Sequence, residues 1–275
     1  MSAADNGIKS DYTLNIGRTG TAGPTVTVTK AAEGIEAATL NVYSGSINVQ
    51  ASDDGINAAN SDLTGYSFSY NQYGGSVVVN VTNGDGVDSN GKINLTGGTL
   101  EVYSPAQGDG DPLDADGGTT FGGATVLAVG HAAMPQQYTA STPYVVFGGS
   151  GSNLVTAGST IQITDASGNV LYSATAVRSA SYVLFSSPAL SSGASCTLKN
   201  GSAAVLTARA GTASTGGTGG VLGQFPGGHG DRPTPPDGSE DDAQDTQPTS
   251  VFRIVWNALL TLYRWLRSKI YSLLA

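Results

Sequence analysis

Five short segments of the chain share one pattern, and a repeat of this kind constrains the fold more than any other feature. In Asp54-Gly55-Ile56-Asn57-Ala58 a polar residue precedes a glycine, an aliphatic residue, a second polar residue and a small residue. The copies begin, in order, at Asn6, Glu33, Asp54, Asp85 and Asp111. They lie 27, 21, 31 and 26 residues apart. Such spacing is typical of solenoids, in which each repeat stacks on the next.

Short alternating segments follow the copies. After Glu33 the chain reads Leu40-Asn41-Val42, then a turn at Ser44-Gly45, then Ile47-Asn48-Val49. Apolar residues at every second position predict strands with one buried face. Residues 1–210 show no helical period. The sequence therefore predicts an all-β fold, a parallel β-helix whose coils stack at the strand spacing.

Changes in composition and residue pattern divide the chain into four parts. Residues 1–137 contain the repeats and are predicted to form the β-helix. In residues 138–210, strands such as Tyr182-Val183-Leu184-Phe185 alternate with turns such as Asn200-Gly201, which predicts a small antiparallel β unit. We expect this unit to cap the C-terminal end of the solenoid. Residues 211–250 are acidic and rich in Gly and Pro, as in a flexible, disordered linker.

Residues 251–275 are predicted to form one amphipathic α-helix. Their apolar residues recur at helical spacing, and they carry four bases and no acid. The uncharged run from Ile254 to Tyr263 is too short to cross a bilayer. A basic amphipathic helix with Trp and Tyr favours contact with a membrane surface. Packing on the β-domain or on another copy of the chain is the alternative.

The charge of the chain limits its partners. It has 21 acidic and 12 basic residues, a net charge of −9. Nucleic acid is excluded as a partner because phosphate binding requires a basic surface, whereas calcium suits an acidic one.

A single cysteine, Cys196, permits no internal disulfide. No signal segment is visible, and because a bare first coil would expose strand edges we expect a truncated N-terminus.

The repeat predicts two columns of oxygen-bearing side chains, because equivalent positions of a β-helix stack above one another. The first column contains Glu33, Asp54, Asp85 and Asp111. The second contains Glu36, Asn57, Asp88 and Asp114, and the edges are supplied by Asp53, Asp109 and Asp116. Crowded carboxylates are unfavourable unless a cation lies between them, and calcium binds six to eight such oxygens. Ordinary turns, in which Asp and Asn are common, are the alternative.

Lys9 takes the second-column position in the first coil, where a salt bridge to Glu36 would replace a metal.

A second candidate site is the tyrosine-rich insertion in the third coil, residues 63–75. There Tyr66, Tyr70 and Tyr73 either stack on sugar rings or shield the flank of the coil.

The motifs Asp53-Asp54-Gly55-Ile56-Asn57-Ala58 and Gly84-Asp85-Gly86-Val87-Asp88-Ser89 resemble those of a known family. It comprises bacterial carbohydrate-binding-domain proteins that form right-handed, calcium-binding β-helices similar in shape to pectate lyases. The resemblance covers roughly residues 5–202 and departs from the family at its start and at Asp111-Pro112. It implies a secreted or cell-surface protein that binds acidic plant polysaccharide such as pectin or polygalacturonate. Calcium would bridge protein and sugar carboxylates, with Asp53, Asp54, Asp85 and Asp88 as the leading ligands.

Two other functions are compatible with this sequence. A polysaccharide lyase would need a base beside the calcium, and Lys92 is the base closest to the acidic columns in the central coils. A structural or adhesion solenoid would need no specific ligand. Non-catalytic, calcium-assisted binding of acidic polysaccharide is the leading prediction.

Overall fold

The computed structural model describes residues 1–108, 110–132, 136–148 and 151–212, with the backbone of 215–216. Within these ranges every regular element is a β-strand, which confirms the all-β prediction for the described part of the chain. Asp109, the predicted linker beyond residue 216 and the predicted helix 251–275 lie outside the described residues.

Five coils build a β-solenoid, and equivalent strands recur in each coil. Coil 1 has β1 (Ile8–Ile16) and β2 (Thr25–Val28), and coil 2 has β3 (Ile35–Val42) and β4 (Ser46–Ala51). Coil 3 has β5 (Ile56–Ala58), β6 (Ser69–Gln72) and β7 (Ser76–Val81). Coil 4 has β8 (Val87–Ser89), β9 (Lys92–Leu95) and β10 (Thr99–Tyr103). Coil 5 has β11 (Leu113–Ala115), β12 (Thr119–Phe121) and β13 (Thr125–Gly130).

Parallel pairing of equivalent strands produces three ladders along the solenoid. Ladder A joins the first parts of β1 and β3 with β5, β8 and β11. Ladder B joins the second parts of β1 and β3 with β6, β9 and β12. Ladder C joins β2, β4, β7, β10 and β13. The predicted parallel solenoid is therefore confirmed.

Alternation along the strands fills the interior. Ile35, Ile56, Val87 and Leu113 are paired in register in ladder A, and all four are buried. Their polar neighbours one residue along the strand point to the opposite side, as the pleat requires. Each ladder thus contributes stacked apolar columns to one continuous core.

The chain continues beyond coil 5 through eight more strands. They are β14 (Gln137–Ala140), β15 (Tyr144–Gly148), β16 (Thr160–Thr164), β17 (Val170–Thr175), β18 (Tyr182–Ser186), β19 (Ser195–Asn200), β20 (Ala203–Arg209) and β21 (Thr215–Gly216). Strand β14 adds a last parallel rung to ladder B. Strands β18 and β15 extend ladder C in antiparallel fashion, and β17, β16, β19 and β20 form a separate antiparallel sheet. The predicted antiparallel unit is confirmed.

This antiparallel unit packs on the outer face of ladder C. A second core contains Leu127 and Val129 of β13 together with Phe147, Ile161 and Phe185. Polar contacts join the same surfaces. The Tyr172 hydroxyl donates to Glu101 Oε1 at 2.7 Å, and Arg178 Nε donates to Asn80 Oδ1 at 3.0 Å.

The structure differs from the sequence predictions at two boundaries. The sequence predicts that the linker begins at residue 211, but Gly211 bridges Tyr144 and β21 pairs with β14. The insertion of coil 3 connects β5 to β6 and so ends before Ser69. Tyr70 therefore lies in ladder B, fully buried, with its hydroxyl donating to Gln72 Oε1 at 2.9 Å. A side chain in the core cannot stack on a sugar.

Candidate functional site

The two predicted columns of polar side chains are in register in the structure. The backbone N–H groups of Gly34, Gly55 and Gly86 donate to the carbonyl oxygens of Asp54, Asp85 and Asp111 in the next coil, at 2.9–3.0 Å. These bonds stack the first column, in which each of the three aspartates lies one coil beyond the preceding acid. In the second column, ladder A pairs Glu36 with Asn57, Asn57 with Asp88, and Asp88 with Asp114. The predicted stacking is confirmed.

Three carboxylates of these columns converge in coils 4 and 5. Asp85, Asp88 and Asp114 each bring one oxygen to within 4.8 Å of the others, and all three residues are buried. Their closeness follows from the short strands of ladder A, which hold the backbones at the inter-strand spacing. Like charges at such separations repel strongly where water is excluded. Protons or a cation would relieve this repulsion.

The pKa values of three first-column carboxyl groups are raised, which also favours their protonated form. Burial raises the pKa of Asp54 well above its usual range, and the Asp88 carboxylate adds to the effect. Burial likewise raises the pKa of Asp85, followed by the charge of Asp54. Backbone N–H donors oppose these shifts, with Asp85 N 2.8 Å from Asp54 Oδ1 and Asp111 N 2.6 Å from Asp85 Oδ1. Burial and the neighbouring Glu36 raise the pKa of Glu33 to about 7.

Polar groups close both ends of the columns. At the coil 1 end, Lys9 Nζ lies 2.9 Å from Glu36 Oε2, as the sequence predicts. Asn6 Nδ2 donates to Glu33 Oε2 at 3.1 Å and also to Glu36. At the other end, Gln136 Nε2 donates to Asp114 Oδ1 at 3.0 Å. Donors thus serve the outermost carboxylates.

Sequence reasoning missed both amides in this role. Asn6 occupies the first-column position of coil 1, so the repeat itself marks it as the neutral counterpart of the acids. Gln136 lies after the last copy, in a segment with no repeat, and no local signal connects it to the columns.

Asn57 supplies an acceptor in the middle of the columns. Its Nδ2 donates to Glu33 Oε2 at 3.2 Å, which directs Oδ1 away from coil 2 and toward the coil of Asp88. This Oδ1 is buried without a hydrogen-bond donor, and the residue is only 8% exposed. A buried acceptor without a donor loses its hydration, whereas coordination of a cation would compensate that loss. The donor set therefore fits an oxygen-seeking cation.

The other predicted ligand-binding residues lie on ladder B or in the segments that flank its strands. Tyr73 is 48% exposed and stacks on Tyr43, with ring centroids 5.0 Å apart and planes 13° from parallel. Tyr66, in the coil 3 insertion, has a ring 6.5 Å from that of Tyr12. Lys92 is exposed at the start of β9. These side chains belong to a different part of the coil from the acidic columns.

Comparison with protein families, curated proteins and solved structures finds no match to this chain. No membrane-crossing helix is found in the part of the chain that the structure describes.

Proposed function

We propose that this protein is a non-catalytic, calcium-binding, right-handed β-helix that binds acidic polysaccharide of the pectin or polygalacturonate type outside the cell. One observation carries the proposal: three buried carboxylates, of Asp85, Asp88 and Asp114, approach one another within 4.8 Å. Calcium binds carboxylate and amide oxygens in flexible geometry, and Asn57 Oδ1 adds an amide oxygen in the adjacent coil.

Calcium bound in the columns would also favour binding of an anionic ligand. A chain with a net charge of −9 repels a polyuronate, and the repulsion weakens where a divalent cation neutralises surface carboxylates. Asp53, at the edge of the columns, is partly exposed, so coil 3 is more accessible to solvent there than the buried cluster of coils 4 and 5 is.

Thermal unfolding tests the metal. A ligand that binds the folded state raises the melting temperature, so we expect calcium to raise it and a chelator to lower it. The double variant Asp54→Asn, Asp88→Asn should lose the difference between calcium and chelator. Asp165→Asn is the matched control, because Asp165 lies in an exposed turn of the antiparallel sheet and should leave the difference intact. An unchanged calcium response in the double variant would contradict the assignment.

Incubation with polygalacturonate tests the ligand. We expect retention of the protein on the polymer in calcium, with no rise in ultraviolet absorbance from unsaturated sugar. A rise in absorbance that Lys92→Gln abolishes would instead identify a lyase. Absence of both retention and absorbance would favour a structural or adhesion solenoid.

A further inference from the structure

The outer face of ladder B carries a column of asparagines in register. Asn41 Nδ2 donates to Asn15 Oδ1 at 2.9 Å, Asn71 Nδ2 to Asn41 Oδ1 at 2.9 Å, and Asn94 Nδ2 to Asn71 Oδ1 at 2.8 Å. These bonds all run in one direction and fix each amide in one orientation. A fixed array of amides binds a ligand with less loss of side-chain entropy than free side chains would.

The asparagine column ends in coil 4. In coil 5 the position in register with Asn94 is Thr120, so no further amide donates to Asn94 Oδ1. The column thus presents a carbonyl oxygen at its last rung, and this oxygen is an acceptor for a hydroxyl group.

An exposed aromatic ring, that of Tyr73, lies one coil before this rung, directly after β6. Tyr43 covers one face of the Tyr73 ring. In coil 4 the position that follows the ladder partner of Gln72 is Thr96, a small exposed residue, so coil 4 stacks no second aromatic ring on Tyr73. With 48% of Tyr73 exposed, a flat apolar surface lies beside a polar column. Pyranose rings present the same combination of an apolar face and hydroxyl edges.

The outer face of ladder B also carries a positive charge, on Lys92. Along β9 and one residue beyond its end, the outward positions are Lys92, Asn94 and Thr96, and Lys92 is exposed. From Lys92 to Thr96 is four residues, or about 13 Å of strand, which is more than one sugar ring. The ammonium group is positive on a protein of net charge −9, and it therefore favours a carboxylate on the ligand.

We propose that a uronic-acid polysaccharide binds directly to this outer face at coils 3 and 4. One sugar ring stacks on Tyr73 above Thr96, a hydroxyl donates to Asn94 Oδ1, and a carboxylate pairs with Lys92. Calcium in the acidic columns then stabilises the coils and does not touch the sugar. This inference rests on the proposed function and specifies where the polysaccharide binds.

Calorimetric titration with a polygalacturonate oligomer of defined length tests the inference in the full chain. Tyr73→Ala should weaken binding about tenfold or more, as truncation of a central aromatic contact does. Lys92→Gln should weaken it as well and should make the remaining affinity less dependent on salt. Tyr12→Ala is the matched control, since Tyr12 is 60% exposed but lies at the opposite border of the asparagine column, and it should leave affinity unchanged.

The same titration in chelator separates the inference from the proposed function. Below the melting temperature of the metal-free protein, with circular dichroism showing an intact fold, we expect affinity to persist. Loss of binding in chelator, with Tyr73→Ala and Lys92→Gln neutral in calcium, would overturn the inference and place the sugar at the calcium. If the unaltered chain binds no acidic oligomer in calcium or in chelator, the proposed function fails, and the inference with it.

Discussion

Glu33, Asp54 and Asp85 form a run of carboxyl groups in which burial and neighbouring charges both favour the protonated form. A proton and the proposed calcium ion would therefore be alternative ways to compensate these carboxyl groups. The two compete, because an ion requires the ionised carboxylate whereas a proton removes the charge. Stability of this protein should consequently depend on pH and calcium together.

In chelator, we expect the free energy of unfolding to fall as pH rises. The pKa of Glu33 is about 7 in the folded chain against 4.5 in the unfolded chain, so the folded state holds more protons between these values. Stability is then lost as pH increases through that window, by about 3 kcal/mol for Glu33 alone. Calcium should reduce the loss. Urea unfolding at pH 4.5 and 7.5, with calcium or with chelator, measures both effects.

Glu33→Gln provides the control, because the amide keeps the shape of the side chain and does not titrate. The variant should lose less stability between the two pH values than the unaltered chain does. Stability that rises with pH in chelator, in both chains, would contradict the assignment of these shifts.

At the scale of elements, the repeated glycine explains how coils stack so closely. None of Gly7, Gly34, Gly55 and Gly86 has a left-handed φ, so turn geometry does not require them. A Cβ on Gly55 would instead lie 2.7 Å from the carbonyl oxygen of Gly86 in the next coil and would also collide with Val79 of ladder C. Glycine fits this position because the backbone of the next coil and the side chain of Val79 leave no room for a Cβ.

We expect Gly55→Ala to lower the free energy of unfolding by about 2–3 kcal/mol, because the added methyl group has no room between two coils. Gly122→Ala is the matched control. Its Cβ would meet the end of the Thr96 side chain at 3.2 Å, so the cost should stay within about 0.5 kcal/mol. Urea unfolding of both variants gives the comparison, and equal costs would contradict the steric explanation.

In the fifth copy of the repeat, the position of the glycine and the residue packed against it both differ from the other copies. Pro112 replaces the glycine, and its ring has room because Gly130 of β13 lies near it. A Cβ on Gly130 would approach Pro112 Cγ to 3.0 Å. A larger residue at one position is thus matched by a smaller one at the other.

The stacking of the acidic columns could be predicted from the sequence because one pattern recurs and the strands permit a single register. The recurring pattern and the single register together predict which repeat residues lie next to Asp54 and Asp88. The burial of Tyr70 could not be predicted, because the insertion hides a strand whose sequence, Ser69-Tyr70-Asn71-Gln72, has no aliphatic residue. Gln136 and β21 reach their partners from outside the repeat, through tertiary contacts that no local pattern encodes.

At the scale of the whole described chain, ladder C is a wall shared by two cores. Val126 and Ala128 of β13 belong to the solenoid core, whereas Leu127 and Val129 belong to the core of the antiparallel unit. Strand β13 is therefore apolar along almost its whole length, as strands buried on both faces are. The antiparallel unit and coils 4 and 5 should accordingly unfold together.

Leu127→Ala tests this coupling, because it removes a fully buried side chain from the shared wall. We expect a loss of about 2–5 kcal/mol and one unfolding transition. Hydrogen exchange should show protection falling in parallel in β10 and in β16, one strand from each side of the wall. Val205→Ala is the control, since Val205 is 37% exposed on β20 and its truncation should cost far less. A variant of Leu127 in which β16 loses protection while β10 retains it would show that the two cores are independent, and the antiparallel unit would then be an appended domain rather than part of the solenoid's folding unit.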